Sequence, residues 1–188
     1  LRQYSDFSLE AVTIDMGLGM DYSPGEALCD RLEVPFTQVK TEIGPIVFQY
    51  RQEKNPCSLC ARMRRGSLHD AVLELGCNKL ALGHHHDDVL ETFMMNLLSG
   101  GRIESFRPVT YLSRKELTMI RPMIFATEKE VASAARKTDL PTVESPCPMD
   151  KTSNRNEMKQ LLIELEKTYP SLKEKITGGL SKSGISGW

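Results

Sequence analysis

The sequence predicts an α/β fold: a doubly wound, mostly parallel sheet followed by C-terminal helices. Three observations carry this. Short β-rich apolar runs alternate with helical stretches, the helical stretches are long enough to act as crossover connections, and capping residues or glycines stand at the junctions. A length of 188 residues allows a sizeable core. The balance of 40% hydrophobic to 26% charged residues is that of an ordinary soluble domain, so no fibrous or disordered class is implied.

In chain order, residues 10–16 (EAVTIDM) form a strand ending at Gly17, and 24–32 form a helix with Ser23 as N-cap. A second strand covers 36–42, and 43–55 is ambiguous. A long helix over 60–75 stops at Gly76 in the C′ position. Residues 79–82 (KLAL) are a short strand before Gly83, and 86–98 are a helix ended by Ser99-Gly100-Gly101. Strands 109–112 and 117–121 flank a Ser-Arg-Lys-Glu turn, and helix 128–137 takes Thr127 as its cap. A last short strand is expected at 142–145, then helices over 153–167 and 171–176. The division expected is an α/β domain over 1–145 and a helical segment over 146–188. The tail SKSGISGW is expected to be mobile, its terminal Trp188 excepted, and no role is readable for that tryptophan. The opening LRQYSDFSLE reads as the end of a helix running into a strand, which leads to the expectation of an element upstream.

Formal net charge is −1, so a nucleic-acid partner has to be met by a local basic patch rather than by the whole surface. No apolar run approaches the roughly 18–20 residues that a membrane span requires, and no signal segment is read. Five cysteines, an odd number, argue against a closed disulfide framework. The expected setting is a reducing cytoplasm, where clustered cysteines bind metal or do chemistry.

Ligands of parallel sheets bind beyond the carboxyl ends of the strands. Two such ends carry chemistry-bearing residues: Asp15-Met16-Gly17, and Gly83-His84-His85-His86-Asp87-Asp88. Asp87 and Asp88 open a helix, where carboxylates are favoured by free N–H groups and the dipole, which is a sufficient structural reason for them. The functional alternative is that carboxylate oxygens gathered by the i,i+4 pairs Asp87–Glu91 and Asp88–Thr92 hold Mg²⁺ against a nucleotide phosphate. Three consecutive histidines entering a helix point about 100° apart and cannot all face one ion.

Cys57-x-x-Cys60 lets two thiolates reach one metal. Its rivals are a zinc knuckle, a redox dithiol and coincidence. Cys147, framed by Pro146 and Pro148, supplies a third thiol, whereas Cys29 and Cys77 read as buried small hydrophobes. A structural zinc wants four ligands, while an iron–sulfur cube held by three cysteines leaves one iron open; the residues alone do not choose between them. Arg62, Arg64 and Arg65 follow the clip. With Arg102, Arg107, Arg114, Lys115, Arg121, Lys151 and Arg155 they are either solvated faces or phosphate contacts.

Laid out together, CSLCARMRRG, LALGHHHDDVLETFMMNLLSGG, IRPM, SPCP and the strand ending in Asp15-Met16-Gly17 resemble the tRNA 2-thiocytidine biosynthesis family of PP-loop ATP pyrophosphatases. The resemblance covers most of the chain. It implies a fold of the adenine nucleotide α-hydrolase type and ATP-dependent adenylation and thiolation of cytidine 32 in tRNA. It implies that Cys57, Cys60 and Cys147 bind a [4Fe–4S] cluster, and that Asp15, Met16, Gly17, Gly83 and His84 bind the nucleotide. Asp87 and Asp88 match the acidic pair near ATP and Mg²⁺, and Arg64 matches a catalytic basic residue. Arg62, Arg65 and Arg155 are expected on RNA phosphates, and Cys147 is the alternative carrier of a persulfide. The partners implied are a tRNA anticodon stem-loop and a cysteine desulfurase or other sulfur donor, with a homodimer left open. The family's Ser-Gly-Gly-x-Asp-Ser loop is not in the sequence, and the expectation is that the chain lacks its N-terminal strand and that loop. The alternatives kept are a uridine 2-thiolase, a lysidine-type ligase, and a non-enzymatic zinc protein.

Overall fold

The structure, a computed structural model, describes residues 6–52, 54–150 and 153–184; Lys151, residues 185–188 of the tail and the first five residues lie outside them. The chain divides into two compact units, residues 1–78 with 139–148, and residues 79–138 with 149–188.

In the first unit, β1 (Ala11–Asp15) and β2 (Phe36–Lys40) pair in parallel, with Ala11 opposite Phe36 and Asp15 opposite Lys40. Helix α1 (Ser23–Arg31) connects them. It begins one residue before the expected position. Ser23 lies inside the helix, and its N–H donates to the Asp21 carboxylate at 3.0 Å, so the short acid rather than the serine satisfies the free donor. The ambiguous stretch folds as a single turn, α2 (Ile43–Pro45), running into a π-helical segment Ile46–Arg51.

Helix α3 (Pro56–Glu74) starts before the first cysteine rather than at the second. The signal is Asn-Pro: the Asn55 carboxamide accepts from the Ser58 N–H, and Pro56 stands where no N–H is needed. Cys57 and Cys60 therefore sit three apart on the first turns of a helix, on one face. The helix stops as expected at Gly76, φ +70°, whose conformation lets Cys77 N–H bond back to Val72 O at 3.0 Å. Ile43, Val47 and Cys60 form the buried centre of this unit, with Ile14, Met16, Phe48, Leu59 and Met63 packed on it.

In the second unit, β3 (Lys79–Ala81) runs parallel to β5 (Leu117–Ile120), and β4 (Val109–Leu112) pairs antiparallel with β5 as the expected hairpin. Among the described residues β1 is bonded only to β2, and β3 only to β5. Helix α4 (His86–Gly100) ends at Gly101, φ +61°. Helix α5 (Glu128–Lys137) starts with a reciprocal capping box: Thr127 Oγ1 accepts from Glu130 N–H, and Glu130 Oε2 accepts from Thr127 N–H.

Helices α6 (Asn154–Thr168) and α7 (Leu172–Ser183) complete the unit. Helix α7 runs through Gly178-Gly179, past the expected end at 176, because Ile176 and Leu180 pack against Val89 and Ile124. The strand expected at 142–145 is not formed. That stretch is exposed and irregular, and prolines at 141, 146 and 148 remove ladder donors around it. The α/β expectation with mostly parallel strands and C-terminal helices holds.

Gly44 is the tight point of the first unit. A Cβ there would lie 2.5 Å from Leu18 Cδ2 and 2.7 Å from the Met16 carbonyl oxygen. Gly44→Ala would gain about 1 kcal/mol of helix propensity. The collision with backbone outweighs this at roughly 1–3 kcal/mol. The expected outcome is a lower urea midpoint, read by circular dichroism.

Candidate functional site

The first unit gathers the thiols. A cavity of about 400 Å³ is lined by Ile14, Met16, Tyr22, Arg64, Leu68 and Cys147, among others. The carboxyl end of β1 is its floor. There Asp15 Oδ1 accepts from Gly17 N–H at 2.9 Å, Oδ2 accepts from the Gln38 amide at 3.0 Å, and Thr41 donates through both N–H and Oγ1 to Asp15 O, each at 2.8 Å. Gly17, φ +70°, turns the chain away with Thr41 O only 3.0 Å from where a Cβ would be. Tyr22 Oη donates to Ile14 O at 3.4 Å, and burial, then the nearby Asp15 charge, pushes its phenol above the ordinary value.

Cys60 is 9% exposed while Cys57, one turn before it, is exposed. Cys60 Sγ lies 3.7 Å from Met16 Sδ. Burial pushes the Cys60 thiol up; the Arg64 guanidinium pulls it the other way, and Cys147 and Cys57 push it further up. All three thiols are free. Arg64, one helical turn beyond Cys60, lines the same cavity as Cys147. Arg62 and Arg65 are exposed on α3. Cys29 and Cys77, expected to be buried, are only half-buried.

Among the described residues, no three His, Cys, Asp or Glu side chains already converge as a single ion requires. Of the three thiols, Cys147 lines the cavity, Cys60 is buried against Met16 at its wall, and Cys57 is exposed one turn away on α3. Soft sulfurs spaced in this way suit a polynuclear iron–sulfur centre, which spreads its ligands over several metals, better than a single ion.

The second unit holds the acidic helix start. Asp87 Oδ1 accepts from Lys173 Nζ at 2.6 Å, and its Oδ2 accepts from Glu128 N–H at 2.7 Å. Burial alone would raise this carboxyl, but the Glu128 N–H and Lys173 hold it below its ordinary value. Asp88 Oδ2 accepts from His85 N–H at 2.9 Å, closing the N-terminus of α4, and Oδ1 accepts from Arg155. All four oxygens of the pair thus have protein donors, and a divalent ion would have to displace Lys173 or Arg155. The pair as folded does not fit Mg²⁺.

Arg155, expected on RNA phosphates, spreads its guanidinium over Asp88, Glu91 (3.5 Å) and Thr92 (3.4 Å). The histidine rings go to three separate partners. His84 Nδ1 accepts from Arg121 Nε at 3.3 Å and its ring lies 4.7 Å from that of Phe106, His85 faces Asp88, and His86 meets Thr177 Oγ1 at 2.6 Å. Burial depresses His84, so it is neutral at neutral pH.

Residues 1–166 match the PP-loop domain family. The tRNA-cytidine(32) 2-sulfurtransferase of Citrifermentans bemidjiense is 34% identical over 187 residues, 96% of this chain and 73% of that protein. The chain belongs to the tRNA 2-thiocytidine biosynthesis family of PP-loop proteins. The Geobacter sulfurreducens enzyme of the same name is 40% identical over 136 residues, 69% of this chain and 53% of that protein. The chain spans about half the length of several such relatives. Among solved structures, the U34-tRNA thiolase NcsA from Methanococcus maripaludis, with its [4Fe-4S] cluster, is similar at a TM-score of 0.76 and 26% identity, covering 93% of this chain and 61% of that one.

Two features of this PP-loop chain escaped sequence reasoning. Leu68 shares the cavity with Arg64, and their i,i+4 spacing was the available signal. For Glu91 the i,i+4 pairing with Asp87 was legible, but its burial at 5% exposure and its partner Arg155 on α6 were not. Burial raises its carboxyl to about 7, with Arg155 opposing and Asp88 adding to the rise. A carboxyl with a raised folded pKa binds its proton more tightly in the folded state. Its contribution to stability is complete below about pH 4.5 and fades as pH climbs through about 7. Glu91→Gln, which never ionises, is expected to raise the urea midpoint at about pH 8 while leaving it nearly unchanged at about pH 4.5.

Proposed function

We propose that the protein is an ATP-dependent tRNA sulfurtransferase that adenylates and thiolates cytidine 32, with Cys57, Cys60 and Cys147 holding a [4Fe–4S] cluster. One observation carries this reading. Cys147, on the irregular stretch 139–148, returns to line the same cavity as Met16, which touches the Cys60 sulfur at 3.7 Å, and as Arg64, one helical turn beyond Cys60. The relatives named 2-sulfurtransferases and the cluster-bearing thiolase support the same chemistry.

The apolar wall of Ile14, Met16 and Leu68 suits a flat adenine, and the end of β1, through Asp15, Met16 and Gly17, is assigned to the nucleotide. For Gly83 and His84, in the second unit, a nucleotide role rests on the family resemblance alone. The target C2 oxygen attacks the α-phosphorus of ATP, forming an O–P bond as the bond to pyrophosphate breaks. A sulfur nucleophile then forms the C–S bond as AMP leaves with that oxygen. When bound, a cluster held by three cysteines supplies an open, soft iron position suited to sulfur. Arg64, on the cavity rim beside Cys147, stabilises the developing phosphate charge, and Arg62 and Arg65 hold the RNA backbone. Asp87 and Asp88 set the start of α4, with no step derived through Mg²⁺ at their oxygens. Arg155 holds that helix start, and any phosphate contact from it would mean leaving the acids. A cysteine desulfurase acting in the cytoplasm is the proposed sulfur source.

The chain purified anaerobically is expected to carry iron and acid-labile sulfide, and Cys57→Ser, Cys60→Ser and Cys147→Ser each to lose them. Stoichiometric zinc without iron would refute the cluster and favour the zinc-protein reading. Nucleoside mass spectrometry of tRNA from cells lacking the gene should show 2-thiocytidine missing. Loss of 2-thiouridine instead would favour the second reading, uridine thiolation, to which the solved neighbour points.

A further inference from the structure

We infer that Met16 is a positioning residue of the thiol centre, its thioether covering the Cys60 sulfur and keeping water and oxidants from it. Cys57 and Cys60 share one face of α3, yet only Cys60 is buried. Helix geometry does not make that difference; the packing of Cys60 with Ile43 and Val47, and against Ile14 and Met16 at the end of β1, does. Met16 Sδ stands 3.7 Å from Cys60 Sγ, and the same side chain borders the cavity lined by Arg64 and Cys147. Met16 therefore touches both the Cys60 sulfur and the cavity, while Cys60 itself does not line that cavity.

The backbone of Met16 is pinned on both sides. Its carbonyl accepts from Gly44 N–H at 2.7 Å, and the next residue, Gly17, donates to Asp15 Oδ1 at 2.9 Å. Gly44 has no Cβ to push that carbonyl away. A polarizable, unbranched thioether conforms closely to a neighbouring thiol and accepts weakly from S–H. Apolar cover around a metal-binding thiol governs solvent access, and so how long a bound centre survives. The last step rests on the cluster reading; the shielding of Cys60 does not.

The test has two arms. In the reduced, metal-free chain, iodoacetamide labelling is followed cysteine by cysteine by peptide mass spectrometry. Met16→Ala is expected to speed labelling of Cys60 by at least about fivefold, with Cys57 unchanged and Met16→Leu close to wild type. An unchanged Cys60 rate in a folded Met16→Ala chain overturns the inference. Should alanine unfold the chain and speed all the cysteines alike, Met16→Val, which also shortens the side chain, is read in its place by the same criterion. In the second arm, protein reconstituted with iron and sulfide is exposed to air. Faster bleaching of Met16→Ala than of wild type supports the shielding role, and equal bleaching overturns its extension to the cluster. Failure of the wild-type chain to take up iron and sulfide would sink the proposed function and leave the labelling result standing.

Discussion

The close approach of α2 and α3 to the carboxyl end of β1 is the constraint on which the thiol centre depends. It is made by hydrogen bonds that require small neighbours: Gly44 N–H reaches Met16 O, and Thr41 reaches Asp15 O through two donors. Once those are closed, Ile43, Val47 and Cys60 have nowhere to lie but against Ile14 and Met16. Apolar packing then buries a thiol that a metal-binding role needs as a thiolate. The same packing brings the compensating charge, because the residue one turn after Cys60 is Arg64, and its guanidinium opposes the rise that burial imposes. A helical CxxC followed by arginine at that spacing thus encodes both where the buried thiol lies and the cation beside it.

Most of the elements could be read from local chemistry, because local chemistry forms them. Thr127 and Glu130 write a capping box directly into the sequence; Gly76 and Gly101 mark stops by the positive φ that they alone adopt cheaply. The strand ends Asp15-Met16-Gly17 and the cysteine spacing were visible for the same reason. The errors fall where distant partners decide. Helix α7 continues through two glycines because Leu180 finds Val89 and Ile124, a contact that no helix propensity contains. The run 142–145 has strand-like residues but no partner strand among the described residues, and prolines frame it.

The acidic helix start shows the limit most sharply. Asp87 and Asp88 at the first turn of α4 carry the pattern of ion-holding carboxylates, and nothing nearby contradicts it. What answers them is Lys173, 86 residues downstream, and Arg155, 67 downstream. Carboxylates at a helix start attract any donor brought close, and tertiary structure brought two cations. Arg155 could not be told from a phosphate-binding arginine by sequence for the same reason: the chemistry that recognises phosphate recognises carboxylate.

This redistributes the electrostatic work between the two units. In the second, Lys173 and Arg155 are spent on buried or half-buried acids, and Lys159 pairs with Glu128 at 2.7 Å. A cation so engaged gains less from a phosphate, because binding one leaves its carboxylate desolvated and unpaired. In the first unit, Arg62, Arg64 and Arg65 are exposed on the helix that carries Cys57 and Cys60. With a formal charge of only −1 over the whole chain, attraction for a polyanion must come from such a local group. The exposed arginines of α3 are such a group, and they stand on the helix that carries Cys57 and Cys60. Placement of the arginines and placement of two of the thiols are both consequences of one helix, started by Asn55 and Pro56 and packed through Cys60 against Ile14 and Met16.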